Sequence, residues 1–353
     1  MSDKEIMPVQ YLKTLEGNYA QLFLFSDGNH YVVKFHMVRK YRKREIVNEW
    51  LTAKLAHLLD LPGLPIKVVH IPEDSLADIP PYRYSSYKPG NHVAFPYLTN
   101  VKSYAELAMP PQKENLVNMK DLAGMLVFDQ WVNNNDRSRT NILFEEKENG
   151  TYFFWMIDHG RCFPGMYEWN EETLSKEPVY RVNMPVYKWA SSLLKDPFLL
   201  YDFSEKMRNV KQEEIWEILA EIPSDWNVTK QEKEKLLAFL KERDCMRFLS
   251  LSWMQTAITL APSQVFFYWV RKIAALGAII LRLNGSSMPA LAKALGLFLT
   301  AAEKNADFSL RLFPIPLKKF FIHFMLLNQL FFQVELFFNH MSCSMGIVTP
   351  CFL

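Results

Sequence analysis

The chain has 353 residues, 49% of them hydrophobic and 22% charged, which is long enough and apolar enough for a large two-lobed domain and excludes a disordered tail. Its four cysteines include no C-x-x-C pair, which excludes a disulfide framework and a zinc ribbon and suits a reducing cytoplasm. The first ten residues contain no apolar segment of the signal-peptide kind, and the net charge of +2 selects no partner.

In chain order, QLFLFSDGNHYVVKFH over 21–36 reads as two strands joined by a turn at Ser26-Asp27-Gly28-Asn29, with Lys34 near the end of the second strand. The basic run RKYRKR at 39–44 is either a patch for nucleic acid or another anionic partner, or a solvated loop. Ile46, Val47, Trp50, Leu51, Leu55 and Leu58 then recur at helical spacing, and Leu61-Pro62-Gly63-Leu64-Pro65 ends that helix. Ile66 to Ile71 reads as a strand, and Pro72 to Pro96 as a loop with short extended pieces at or near a lobe junction. The spacing predicts one long, nearly buried helix over Lys113–Val132, ending at Asn133-Asn134-Asn135-Asp136. Two strands follow, Asn141–Phe144 and Thr151–Ile157, and the second runs directly into Asp158-His159-Gly160. Glu171 to Leu240 alternates helical segments with proline breaks.

The segments D-R-S-R-T-N at 136–141 and D-H-G at 158–160 carry the chemistry only when taken together. Phosphoryl transfer asks a protein to cradle a nucleotide, place metal charge on bridging oxygens and orient a hydroxyl with a carboxylate. An aspartate with an asparagine five residues on, in a loop at a helix end, supplies a base and a neutral oxygen ligand. A carboxylate after the next hairpin supplies a second ligand, and magnesium, which keeps several waters, needs few more. Gly160 is expected to let the backbone turn sharply after that ligand.

Asn134-x-Asp136-Arg137 with Asn141, and Ile157-Asp158-His159-Gly160, resemble the HipA-like kinase family, distant relatives of protein kinases and phosphatidylinositol kinases. Tyr31-Val32-Val33-Lys34-Phe35 resembles the family's lysine strand, and Val47-Asn48-Glu49-Trp50 its N-E helix start, so the likeness spans roughly 10–244. The resemblance implies that Lys34 binds ATP phosphates, Glu49 fixes Lys34, Asp136 is the base, and Asn141 and Asp158 hold Mg2+. It also implies a protein serine or threonine as acceptor. Where protein kinases carry a histidine, this chain has Asn134.

Other roles stay open at this stage. The phosphate loop is marked only by Gly17 in Leu15-Glu16-Gly17-Asn18, where backbone amides in a turn would have to bind phosphate. Glu45 lies one helical turn from Glu49 and competes as the partner of Lys34. Arg137 and Arg139 either neutralise phosphate or pair with a nearby acid, and His159 reads as a turn residue rather than a metal ligand. The rival functions are a small-molecule or lipid kinase and, from another class, a pseudokinase acting as a binding module.

The expected fold is α+β, two-lobed and protein-kinase-like, with an antiparallel-sheet lobe over 1–100 and a larger helical lobe over 101–244. Residues 245–353 hold nine basic against three acidic residues, and the rest 31 against 35, which makes the break near 244 the clearest boundary. That extension reads as a helical appendage, an amphipathic segment or a stretch without a selected fold. Its apolar runs are too short or too interrupted by polar residues for a membrane span.

Overall fold

The computed structural model describes residues 6–15, 20–36, 42–80, 87–179, 181, 183–194, 196 and 198–242. The extension over 245–353, the glycine at 17 and positions 39–41 of the basic run lie outside the described residues.

Five strands form the N-terminal sheet: β1 (Pro8–Thr14), β2 (Ala20–Phe25), β3 (His30–Lys34), β4 (Lys67–Ile71) and β5 (Gly90–Pro96). Their order is β1-β2-β3-β5-β4, and every neighbouring pair is antiparallel. The β2–β3 hairpin follows from its turn residues. The Asp27 carboxylate accepts from the Asn29 backbone N–H at 3.0 Å, and Gly28 takes the left-handed φ of 78° that closes the turn. Successive strand side chains point to opposite faces, so Tyr31 and Val33 enter the cluster of Phe23, Phe25, Phe35, Val69 and Ile71. Lys34, one residue on from Val33, is thereby set on the other face.

On that face lies α1 (Glu45–Leu58), buried from Glu45 through Ala53. Its apolar residues join a larger core with α3 (Asp121–Trp131), so the helix that carries Glu49 is anchored to the second half of the domain. The short helices α2 (Glu73–Leu76) and α4 (Glu171–Leu174) lie in connections. A second sheet, ordered β6-β7-β8, consists of β6 (Val101–Ser103), β7 (Ile142–Glu146) and β8 (Tyr152–Met156). Around it lie α5 (Pro185–Leu193), α6 (Phe198–Asn209), α7 (Gln212–Ala220) and α8 (Lys230–Lys241). The fold is α+β, an antiparallel-sheet lobe followed by a larger helical one.

Two sequence expectations are corrected. Within Pro72–Pro96, expected as loop with short extended pieces, the described residues Gly90–Pro96 are a full strand inside the sheet, between β3 and β4. Its apolar pattern is obscured by His92, which is buried because its Nδ1 accepts the His36 backbone N–H at 2.9 Å. The long helix over Lys113–Val132 begins only at Asp121. Ahead of it the chain is drawn into the sheet edge: Asn118 donates to the Phe154 carbonyl at 3.1 Å and accepts the Phe154 N–H at 3.0 Å. Side-chain bonding of this kind competes with helix.

Gly124 in α3 leaves room for the Leu61 side chain and for the Phe203 ring of α6. A Cβ there would lie 2.8 Å from the Phe203 ring. Gly124→Ala is therefore expected to cost about 1–3 kcal/mol by overpacking, more than the up to about 1 kcal/mol that alanine returns as a better helix former. Urea unfolding checks this.

Candidate active site

Lys34, at the end of β3, projects between two carboxylates. Its Nζ lies 2.5 Å from Glu49 Oε1 and 2.9 Å from Asp158 Oδ1, the second of them 124 residues from Lys34 in sequence, and the two carboxylates share one ammonium. Glu49 Oε2 also accepts the His159 backbone N–H at 3.2 Å, which ties α1 to the segment after β8. Glu45, the competing partner, is instead engaged by the Arg42 guanidinium and lies against Gly160. Burial opposes the charge on Lys34, but Asp158 and then Glu49 outweigh it and hold the ammonium well above its ordinary pKa. Burial pushes Glu49 up to about 7 against the pull of Lys34. Asp158 is partly buried, which raises its pKa, yet Lys34 holds it well below the usual carboxylate range, so it stays ionised.

The loop after α3 is built on a buried ion pair. Arg137 and Asp129 are both fully buried, and Arg137 Nε and Nη2 each donate to Asp129 at 2.9 Å in a fork. Asn134 and the Tyr187 hydroxyl donate to the same carboxylate at 2.9 and 3.1 Å. Arg137 Nη1 then reaches the carbonyls of Asn141 at 2.7 Å and Ile157 at 3.0 Å, joining the loop to the residue before Asp158. Of the two readings for Arg137, pairing with an acid is the one the geometry shows. Arg139 lies 5.9 Å from the Tyr104 ring centroid.

Around this platform the remaining residues are positioned. Asn134 Oδ1 accepts the Asp136 N–H at 2.9 Å, and Asn141 Nδ2 donates to the Asp136 carbonyl at 2.6 Å. The second bond identifies the other end of the Asn141 amide as its oxygen. The Asp136 carboxylate has no hydrogen bond among the described residues, and its ion partner, Arg161 Nη1, is 3.7 Å away.

Asp158 itself occupies the left-handed region, φ 56°, which a residue with a Cβ visits only when its surroundings impose it. This corrects the role expected of Gly160. The turn is made by Asp158, and Gly160 is needed for close approach, since a Cβ there would lie 2.9 Å from Glu45 Cγ.

His159 is more than a turn residue. It is buried, and its Nε2 accepts from Arg137 Nη2 at 2.7 Å, which requires a neutral ring. Burial, and then the charge of Arg137, push its pKa down to about 3. Since the unfolded chain binds a proton near pH 6.5 and the folded chain does not, stability falls as pH drops from 6.5 toward 3. His159→Gln, whose amide oxygen still accepts from Arg137, is expected to remove about 1–2 kcal/mol of the loss between pH 7 and 5 in urea unfolding.

Residues 18–247 match the HipA-like kinase family. The chain belongs to that family. Solved structures to which this HipA-like kinase is similar include the Helicobacter pylori proinflammatory kinase CtkA, 17% identical over 70% of this chain and 96% of that one, TM-score 0.45. A Golgi casein kinase is 10% identical over 72% and 75% of the two chains, TM-score 0.43. HipA of Shewanella oneidensis MR-1, in a structure with HipB and operator DNA, is 11% identical over 71% and 73%, TM-score 0.39. No curated protein matches the sequence.

Lys34, Glu49 and Asp158 are thus brought into contact, and Asp136 and Asn141 share one tied loop. Two supporting residues were given no role by the sequence, although Asn48 stood in the N-E helix start. Asn48 donates to the carbonyls of Gly160, Cys162 and Met166 at 2.7, 3.2 and 3.0 Å and accepts from the Trp169 indole at 2.6 Å, organising the segment after Asp158. Asp129 had a signal, a carboxylate inside an apolar helix, where an ionised group needs a partner. The basic run contributes two structural arginines among the described residues. Arg42 engages Glu45, and the nearly buried Arg44 pairs with Glu232 and stands 4.6 Å from the Trp169 ring centroid. No described helix is long and apolar enough to cross a membrane.

Proposed function

We propose that this HipA-like kinase transfers the γ-phosphoryl of ATP, held with Mg2+, to a hydroxyl, with a protein serine or threonine as acceptor. The observation that carries this reading is the Lys34 ammonium shared by Glu49 and Asp158 beside the Asp136–Asn141 loop. Residues 1–100 and 101–244 are the lobes of the nucleotide cleft in this reading, and the cytoplasm is its compartment.

The donors suit magnesium. Asp158 stays ionised, Asn141 offers an amide oxygen, and the described residues contain no cluster of three His, Cys, Asp or Glu side chains that would make a dedicated cage. Magnesium is commonly held by one or two protein oxygens plus phosphate oxygens, and when bound it supplies positive charge to them. Lys34 binds the nucleotide phosphates, released in part from Asp158 and oriented by Glu49. Asp136 takes the hydroxyl proton as the acceptor oxygen bonds to phosphorus. The bond from phosphorus to the bridging oxygen breaks, and ADP leaves with its electron pair.

The test is magnesium-dependent ATP consumption by the full chain, with mass spectrometry for phosphate on the protein and on added protein acceptors. Turnover that requires magnesium supports the reading. ATP bound without turnover replaces it with a pseudokinase binding module.

A further inference from the structure

We infer that Arg161 is a further catalytic residue, the donor that binds the oxygens of the phosphoryl group while it passes from nucleotide to acceptor; this rests on the nucleotide reading above. The cations around the site are not equivalent. Arg137 is consumed by Asp129, two carbonyls and His159. Lys34 sits between Glu49 and Asp158, and Arg42 engages Glu45. Arg161 differs from all three. Its only ion partner among the described residues is Asp136, at 3.7 Å, beyond hydrogen-bond length, and its Nε is buried with no hydrogen-bond partner.

Its position is held from both sides. The Asn135 N–H donates to the Arg161 carbonyl at 3.4 Å, from the loop that carries Asp136, while Asn48 grips the carbonyls of its neighbours Gly160 and Cys162. The side chain, 35% exposed, lies where a group entering beside Asp136 would meet it. A base works from about 2.6–3.2 Å and the reacting atoms approach to about 3–3.5 Å, so phosphorus would lie roughly 6 Å from the Asp136 carboxylate. A guanidinium beside that carboxylate reaches the same space. Its planar fork matches the oxygens on which charge is spread during transfer.

The test uses the full chain with Mg–ADP, with and without aluminium fluoride as the mimic of the group in transit, by calorimetry, and no acceptor present. Wild type is expected to bind the fluoride complex at least tenfold more tightly than ADP alone. Arg161→Ala should lose that gain while binding ADP as before, and Arg161→Lys, a point charge without the fork, should keep part of it. Thermal melts of each variant confirm folding, and the lysine variant decides if alanine fails to fold. A gain retained in Arg161→Ala, as an arginine serving only an anionic group on the acceptor would give, overturns the inference and leaves the kinase reading standing. So does the absence of any gain in the wild type. Failure of the wild type to bind Mg–ADP overturns the nucleotide reading itself, and the inference with it.

Discussion

Asp136→Asn is expected to lower the turnover of phosphoryl transfer by about 10²–10⁴-fold with little change in ATP affinity. The amide keeps the shape of the side chain but takes up no proton. Because the Asp136 carboxylate carries no hydrogen bond among the described residues, its removal orphans no donor in the loop, whose ties run through backbone N–H and carbonyl groups. The wild-type pH profile gives an independent check. Burial raises the pKa of Asp136 above the ordinary value, with Arg161 opposing and the negative charge of Asp158 assisting. With Asp136 as the proposed base, activity is expected above that raised pKa and is expected to decline as pH falls through it, and the asparagine variant should lack this limb. Wild-type turnover in Asp136→Asn would remove the base from Asp136.

Arg137→Ala is expected to cost about 3–5 kcal/mol of stability, because it leaves the Asp129 carboxylate buried without its counter-charge. It also strips donors from the Asn141 and Ile157 carbonyls. The double variant Asp129→Leu with Arg137→Met separates the two consequences. Replacing a buried ion pair by apolar side chains of similar size is often close to neutral, but here Asn134 and the Tyr187 hydroxyl lose their shared acceptor as well, so only part of the stability should return. Turnover should not return in full, since the Asp136–Asn141 loop then loses the Arg137 bonds to the Asn141 and Ile157 carbonyls and keeps the weaker bond from the Ile157 N–H to the Asn141 carbonyl at 3.3 Å. Urea unfolding and initial rates on the same preparations read the two effects. A double variant that regained both would reduce the pair to packing.

The parts of the fold that were legible in the sequence are those set by local chemistry. Asp27 and Gly28 close a hairpin whatever lies beyond it, and the apolar spacing from Ile46 to Leu58 gives a helix whose position needs no distant partner. β5 and the start of α3 were not legible for the opposite reason. His92 is tolerated inside a sheet because the His36 N–H meets it, and Asn118 leaves the helical pattern because the Phe154 backbone claims its amide.

The same division runs through the site. Residue types and their order are readable along the chain: a lysine at a strand end, an aspartate and asparagine five apart, and a carboxylate after a hairpin. Their order left Glu45 and Glu49 as rivals and gave Arg137 two uses. Both choices were settled by how the chain packs, because each turns on which partner the folded neighbourhood brings within reach. Glu49 meets Lys34 since α1 is packed into the second lobe, while Glu45 is taken by Arg42. Arg137 goes to Asp129 because a guanidinium buried that deeply requires a carboxylate with it, and only folding brings both to one place.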